Sequence, residues 1–344
     1  MQLKQMETFL ENTLDTSTLS ETGTNRLRNP ALPLIVSIEA ELIKGARKYF
    51  DDSNFTEVVV PHITRATGAC ENIATMFPLD YFGERSYLIQ TGQLYLESLI
   101  PSLGNVFCIG PSFRAEPDVD NRHLTEFTLM EFELPCNFEE LLVHIENTIY
   151  SMMQCVLKNK KDELELLGIG TGHIENAKLP FRRITYTDAI KLLNDLGIGI
   201  KWGDDLKSLH EKIIASHLGD RPTFITHYPE EIKFFNMRRN TEDASIVNSA
   251  DLILPFSGEA VGSAEREHNH DALHERLSKS KMLEMLEERG GSIEDFRWYL
   301  DFIEEFPIQH SGCGIGLNRV TQFVLASSDI RMTTGYPMNR ASLL

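Results

Sequence analysis

GPSFRAEPDVDNRHLTEFTLMEFEL, residues 110–134, carries the pattern of a β-hairpin with a charged loop. Two strand-like runs, NVFCIGPSFR and EFTLMEFEL, flank a polar loop that carries Arg114, Glu116, Arg122 and His123. The second run alternates apolar side chains, the period of a half-buried strand. A strand–loop–strand hairpin that presents two arginines and a histidine suits a bent triphosphate. Guanidinium groups bind phosphate bidentately and stabilise charge that develops at a reacting phosphorus. Phe127, on the second strand, is placed to stack on a purine. By spacing alone, a charged hairpin on a solvated face accounts for the same residues equally well.

Before the hairpin, LPLIVSIEAELIKGARKYF (32–50) has apolar residues at helical spacing, and FTEVVVP (55–61) follows as a β-branched strand ended by Pro61. FEELLVHIENTIYSMMQCVL (138–157) returns to helix, with Leu141 to Met153 read as core. Residues 156–222 are polar and helical with glycine breaks, which suits a peripheral insertion. FITHYP, ADLILPF and EAVGSAER read as further strands. Strands and helices mix without regular βαβ alternation, so the expectation is an α+β domain with an antiparallel β-sheet flanked by helices. Residues 1–30, with TSTLSETGTN, read as an arm or linker, and 31–344 as one domain carrying the insertion.

Two more blocks carry chemistry. In HSGCGIGLNRVTQFVL (310–325), Gly312, Gly314 and Gly316 let backbone approach a ligand closely, and Arg319 sits on the first turn of the next helix. The spacing is GxGxG without a βαβ unit, which excludes a dinucleotide fingerprint. In DLILPFSGEAVGSAERE (251–267), Asp251 and Glu259 can face each other across a hairpin, as Mg²⁺ requires of hard oxygen ligands beside phosphate. Arg266 is a candidate clamp for a carboxylate. His310 either contacts substrate or makes a structural hydrogen bond. His268, His270 and His274 lie in a charged stretch that reads as a solvated helix rather than a metal site.

Composition narrows the partners. With 33 basic against 51 acidic residues the net charge is -18, which argues against a large nucleic-acid footprint, since such interfaces draw affinity from Lys and Arg on phosphates. The cysteines (Cys70, Cys108, Cys136, Cys155, Cys313) are scattered and suggest neither disulfides nor zinc. No apolar run reaches the roughly 18 residues of a membrane helix. The polar N-terminus is no secretory signal, so the expectation is cytoplasmic.

Taken together, the three blocks resemble the catalytic domain of class II (subclass b) aminoacyl-tRNA synthetases. FRAE…RHLTEF is similar to motif 2, GCGIGLNR to motif 3, and the helix with FTEVVVP to motif 1, the dimerisation element. CENIATMF (70–77) and FGERSYLIQTGQLYLE (82–97) resemble the asparaginyl branch, and the likeness covers about residues 26–338. The resemblance implies ATP as substrate, Mg²⁺ and a homodimer. It implies Arg114 at the α-phosphate and Glu116 near the adenine. It places Arg122 and His123 on the β- and γ-phosphates, Phe127 on one adenine face, and Arg319 on the other face and the γ-phosphate, with Gly316 in the close-approach turn. Asp251 and Glu259 would bind Mg²⁺, Glu71 the substrate α-amino group, and Gln93 and Arg266 the amino-acid pocket.

Three departures from the family text matter. Only some 30 polar residues precede the first helix, where tRNA-charging relatives carry an oligonucleotide-binding barrel. The aspartyl enzymes have a lysine where this chain has Leu96; Leu96 with Glu97 next follows the asparaginyl branch. Gly262-Ser263 replaces a doubled glycine, and Tyr336-Pro337-Met338-Asn339 replaces the usual ending, both beside the expected pocket, so a non-standard substrate is an open expectation. The main expectation is therefore AMP-forming activation of aspartate or a related amino acid, with transfer to ammonia or a small amine, as in an asparagine synthetase-like ligase. The alternatives are aminoacylation of a tRNA or tRNA-like acceptor, and a non-catalytic sensor of amino acid or ATP.

Overall fold

Helix and strand boundaries follow local chemistry. Asn137 caps the helix after the second strand of the decisive hairpin. Its side chain accepts the Glu140 N–H while Glu140 reaches back to the Asn137 N–H, a reciprocal capping box. The first long helix instead opens with a proline in its first turn, where no N–H is needed. The computed structural model describes Leu19, residues 23–65 and residues 73–342.

The first half of the chain runs α1 (Leu32–Asp52), β1 (Thr56–Glu57), β2 (Ile63–Thr64), β3 (Pro78–Tyr81), β4 (Glu84–Leu88), α2 (Gln93–Glu97), β5 (Val106–Phe113), β6 (Glu126–Leu134) and α3 (Phe138–Asn159). Then come β7 (Arg182–Thr185), α4 (Tyr186–Asp195), α5 (Ser208–His217), β8 (Thr223–Thr226), β9 (Ser249–Leu254) and β10 (Gly258–Glu265). The chain closes with α6 (His270–Ser278), α7 (Lys281–Glu287), α8 (Arg297–Glu305), β11 (Ser311–Gly316) and α9 (Leu317–Val324).

An eight-stranded sheet runs β1-β5-β6-β11-β10-β9-β8-β7. Its inner pairings are antiparallel, and only the edge pairs β1–β5 and β7–β8 are parallel. The antiparallel α+β expectation is met. A smaller antiparallel sheet, β2-β4-β3, stands beside it. The stretch read from sequence as a helical insertion carries α4 and α5 but also β7, which joins the edge of the main sheet. Among the described residues no helix is long and apolar enough to cross a membrane.

Alternation along β6 sorts its side chains. Met130, Phe132 and Leu134 enter the main core with Ile38, Leu42 and Phe50 of α1 and Ile145, Ile149 and Met152 of α3. Residues one step out of phase, Phe127, Leu129, Glu131 and Glu133, face the other way. The two helices thus seal one sheet face and leave the other for the site.

Closest approach of α1 and α3 is at Gly45, where an added Cβ would stand 2.6 Å from the Met152 Cα and 2.8 Å from the Ser151 carbonyl oxygen. Ser151 Oγ also donates to the Gly45 carbonyl. We predict that Gly45→Ala destabilises the protein by about 1–3 kcal/mol in urea unfolding, because overpacking against backbone outweighs the gain in helix propensity of about 1 kcal/mol. Unchanged or higher stability would show that the helices can part at no cost.

Candidate active site

A cleft of about 350 Å³ opens on the free sheet face. Its lining includes Arg114, Glu116, Arg122, His123, Phe127, Gly316 and Arg319, together with Gln93, Asp251, Glu259 and Arg266. Residues singled out from three separate blocks of sequence therefore meet in one place. Glu71 lies outside the described residues. Glu97 and His310 are buried behind the cleft wall rather than lining it, at 1% and 3% exposure, and of the two readings of His310 the structure shows the hydrogen bond.

At one end the cleft is cationic. The loop between β5 and β6 is shaped by Asp120, whose Oδ1 accepts the N–H groups of Arg122 and His123 while Oδ2 meets His123 Nδ1 at 2.8 Å. That turn presents both side chains to the cleft. Arg114 lies over the Phe127 ring, 5.1 Å from its centroid. Arg319, on α9, donates to the carbonyls of Arg122 and Ser257, both at 2.8 Å, and so ties the loop to the β9–β10 turn. Burial, and then the neighbouring Arg122, lower Arg319 to about 10, which still leaves it charged at neutral pH.

Two carboxylates border this end. Lys233 Nζ donates to both Asp251 oxygens, at 3.0 and 2.7 Å, and rests on the Tyr228 ring. Repulsion from Asp251 holds Glu259 above the ordinary carboxylate range. Two oxygen-donor groups with more negative charge than one lysine neutralises fit a hard divalent cation.

The opposite end is a buried polar floor. Arg266, just past β10, donates to Glu133 of β6 through Nη2 at 2.6 Å and Nε at 3.2 and 3.3 Å. Between them runs β11, and Gly312 sits opposite both Glu133 and Ala264. A Cβ on Gly312 would fall 2.0 Å from the Glu133 carboxyl carbon, so only glycine lets these side chains meet over the intervening strand. Glu131, two residues earlier on β6, accepts from the Thr91 hydroxyl and from the Gly92 N–H at 2.7 Å.

Behind the floor, Glu97 accepts from Gln93 Nε2 and Tyr299 Oη, each at 2.6 Å, and meets His310 Nε2 at 3.0 Å. His310 Nδ1 faces the Ile308 carbonyl at 2.7 Å. Both ring nitrogens thus face acceptors, which requires the imidazolium. Burial opposes that charge, but the Glu97 carboxylate raises His310 above its ordinary value. Burial also works against Glu97, and His310 and Arg266 hold it below the usual range. Burial pushes Glu133 up to about 7 despite Arg266. Glu97, Glu133 and His310 are close enough to share a cation, yet the Arg266 guanidinium already lies between the carboxylates, with Nε 4.0 Å from Glu97.

Glu131, Glu133, Asp120 and Lys233 escaped the sequence reading. The two glutamates had a signal: they alternate with Phe127 and Leu129 on one face of a strand whose other face is apolar. Asp120 could have been found from its place two residues before Arg122 in a polar loop, whereas Lys233 comes to Asp251 only through the tertiary fold.

The family described as tRNA synthetases class II (D, K and N) matches residues 16–340. An asparagine–tRNA ligase from Desulforamulus reducens is 39% identical over 313 residues, 90% of this chain and 70% of the relative. The crystal structure of asparaginyl-tRNA synthetase from Pyrococcus horikoshii complexed with asparaginyl-adenylate superposes with a TM-score of 0.87 at 33% identity, covering 97% of this chain and 74% of that one. Asparaginyl-tRNA synthetase from Entamoeba histolytica, also in complex with asparaginyl-adenylate, gives 0.82 at 30% identity, over 96% and 73%. With the cleft's residues and these likenesses together, the chain belongs to the class II tRNA synthetases of the D, K and N group and is an ATP-dependent ligase that forms an aminoacyl-adenylate.

Proposed function

We propose that the chain activates asparagine with ATP and passes the asparaginyl group to a tRNA. The observation that carries the choice of amino acid is the Arg266–Glu133 pair. Side by side it offers N–H donors and a carboxylate acceptor, the complement of a carboxamide, which accepts at oxygen and donates at nitrogen. An aspartate side chain would instead bring a second carboxylate against Glu133, whose own carboxyl burial already pushes up to about 7 despite Arg266. One uncompensated like-charge contact at about 4 Å costs roughly 4 kcal/mol, near a thousandfold in affinity. Leu96, buried among Val60, Ile100 and Cys108, supplies no cation to offset it.

Gln93 completes the orientation. Its NH₂ group is held by Glu97, so its carbonyl oxygen is the atom left to accept from the substrate ammonium. With the amino acid seated there, its α-carboxylate, already ionised, attacks the α-phosphorus of ATP and expels pyrophosphate. No general base is needed, and the chain's contribution is alignment and charge stabilisation. Arg114 faces the α-phosphate, and Arg122, His123 and Arg319 take the β- and γ-phosphates. Asp251 and Glu259 would hold Mg²⁺, which when bound supplies further positive charge to the phosphate oxygens.

The relatives named above are tRNA ligases and synthetases, which favours a tRNA over ammonia or an amine. A substrate that already carries the side-chain amide also leaves nothing for ammonia to complete there. The sensor reading has no support, because the arginines and carboxylates of all three blocks converge in one cleft.

ATP–pyrophosphate exchange across the standard amino acids should depend on asparagine, with aspartate at least about a hundredfold poorer. Charging of total tRNA with asparagine should follow. Exchange driven by aspartate, or an adenylate consumed by ammonia and not by tRNA, would replace this reading with the amide ligase. Gly312→Ala should raise the KM for asparagine by about tenfold or more, since it displaces Glu133 from Arg266, while the KM for ATP stays nearly constant. An equal rise in both would mean that the glycine serves the sheet and not the pocket.

A further inference from the structure

Glu211 is a buried carboxylate that neither the motifs nor the reaction just described employs. It sits on α5, within the stretch read from sequence as an insertion, and is 7% exposed. The helix packs on β9 and β10, the strands that carry Asp251 and Glu259. Glu211 Oε2 has no hydrogen-bond partner and stands 3.9 Å from Arg122 Nη2. An unsatisfied buried carboxylate oxygen is costly and calls for an explanation.

The surroundings are built to admit it. Gly258, at the start of β10, has φ +76, and a Cβ there would meet Glu211 Oε2 at 2.7 Å and Arg122 Nη2 at 3.5 Å. The bare turn thus leaves room for both side chains. Arg122 is otherwise held through its backbone, by Asp120 at its N–H and by Arg319 at its carbonyl. Glu211 does not line the cleft, whereas Arg122 does. The carboxylate therefore acts from behind the guanidinium and not on a ligand.

We propose that Glu211 is a positioning residue that seats the Arg122 guanidinium for the β- and γ-phosphates of ATP, so that the segment around α5 completes the nucleotide site. A closing shift of about 1 Å brings the pair within hydrogen-bond range, and a carboxylate behind an arginine fixes which of its N–H groups face the phosphates. This rests on the assignment of Arg122 to those phosphates, made above, and not on which amino acid is activated.

The test is calorimetric binding of ATP and of AMP to the full chain in Mg²⁺, without amino acid. Glu211→Gln should weaken ATP by about tenfold, the scale of one charge-assisted contact, and leave AMP within about twofold. Glu211→Asp, which keeps the charge, should fall between Glu211→Gln and the parent. Unchanged ATP affinity would overturn the proposal, and a parallel loss of ATP and AMP would reduce Glu211 to a packing role. Arg122→Lys serves as reference. If it weakens ATP selectively while Glu211→Gln does not, the phosphate assignment stands and this proposal falls; if it does not, both fall.

Discussion

The buried contact between Arg266 and Glu133 is the constraint on which the rest of the site depends. Each belongs to a strand, or its end, that flanks β11, and adjacent strands lie about 4.8 Å apart. The two side chains can touch only by reaching over β11, which Gly312 permits. Burying both charges is expensive unless they are paired and further satisfied. That need extends to the Glu97–His310 pair behind them, to Tyr299 on α8 and to Gln93 on α2. An electrostatic requirement at one strand crossing thereby ties together elements more than 200 residues apart in sequence.

The other end of the cleft obeys the opposite rule. Arg114, Arg122 and Arg319 converge beside Glu211 and Glu259, and Arg122 and Arg319 are anchored through backbone or side chain to carbonyls and turns. In the proposed function the cationic end takes phosphate and the acid-rich floor takes a neutral side chain. The two ends meet where β6 passes from Phe127 to Glu131, so one strand lines the cleft from its cationic end to its acidic floor.

Much of this was legible in residues 110–134. The hairpin, its arginines and the apolar alternation of β6 follow from local chemistry, and so do the paired carboxylates of β9 and β10; the glycines read as a turn before α9 instead form strand β11, where Gly312 makes room for Glu133. Glu131 and Glu133 were less visible because acids in a strand read as solvated until the opposite strand and its glycine are known. Glu97 and His310 were legible as important residues, but not as a pair acting through Gln93, since their contact spans the chain. Of the departures near the pocket, one has a local account. Ser263, in place of a glycine, turns its hydroxyl to the Ala250 carbonyl, whereas nothing in the structure explains the departure at Tyr336–Asn339. The strand within residues 156–222 was missed because a short edge strand with two arginines carries no alternating apolar signal.

The floor, as proposed, reads a carboxamide in preference to a carboxylate. The most direct test is the relative affinity of the asparaginyl and aspartyl sulfamoyl-adenosine analogues, measured by calorimetry. These share every atom except the side-chain terminus, so their difference isolates the Arg266–Glu133 pair. The asparaginyl analogue should bind tighter by about a hundredfold or more. Equal affinities, or a preference for the aspartyl analogue, would contradict the account.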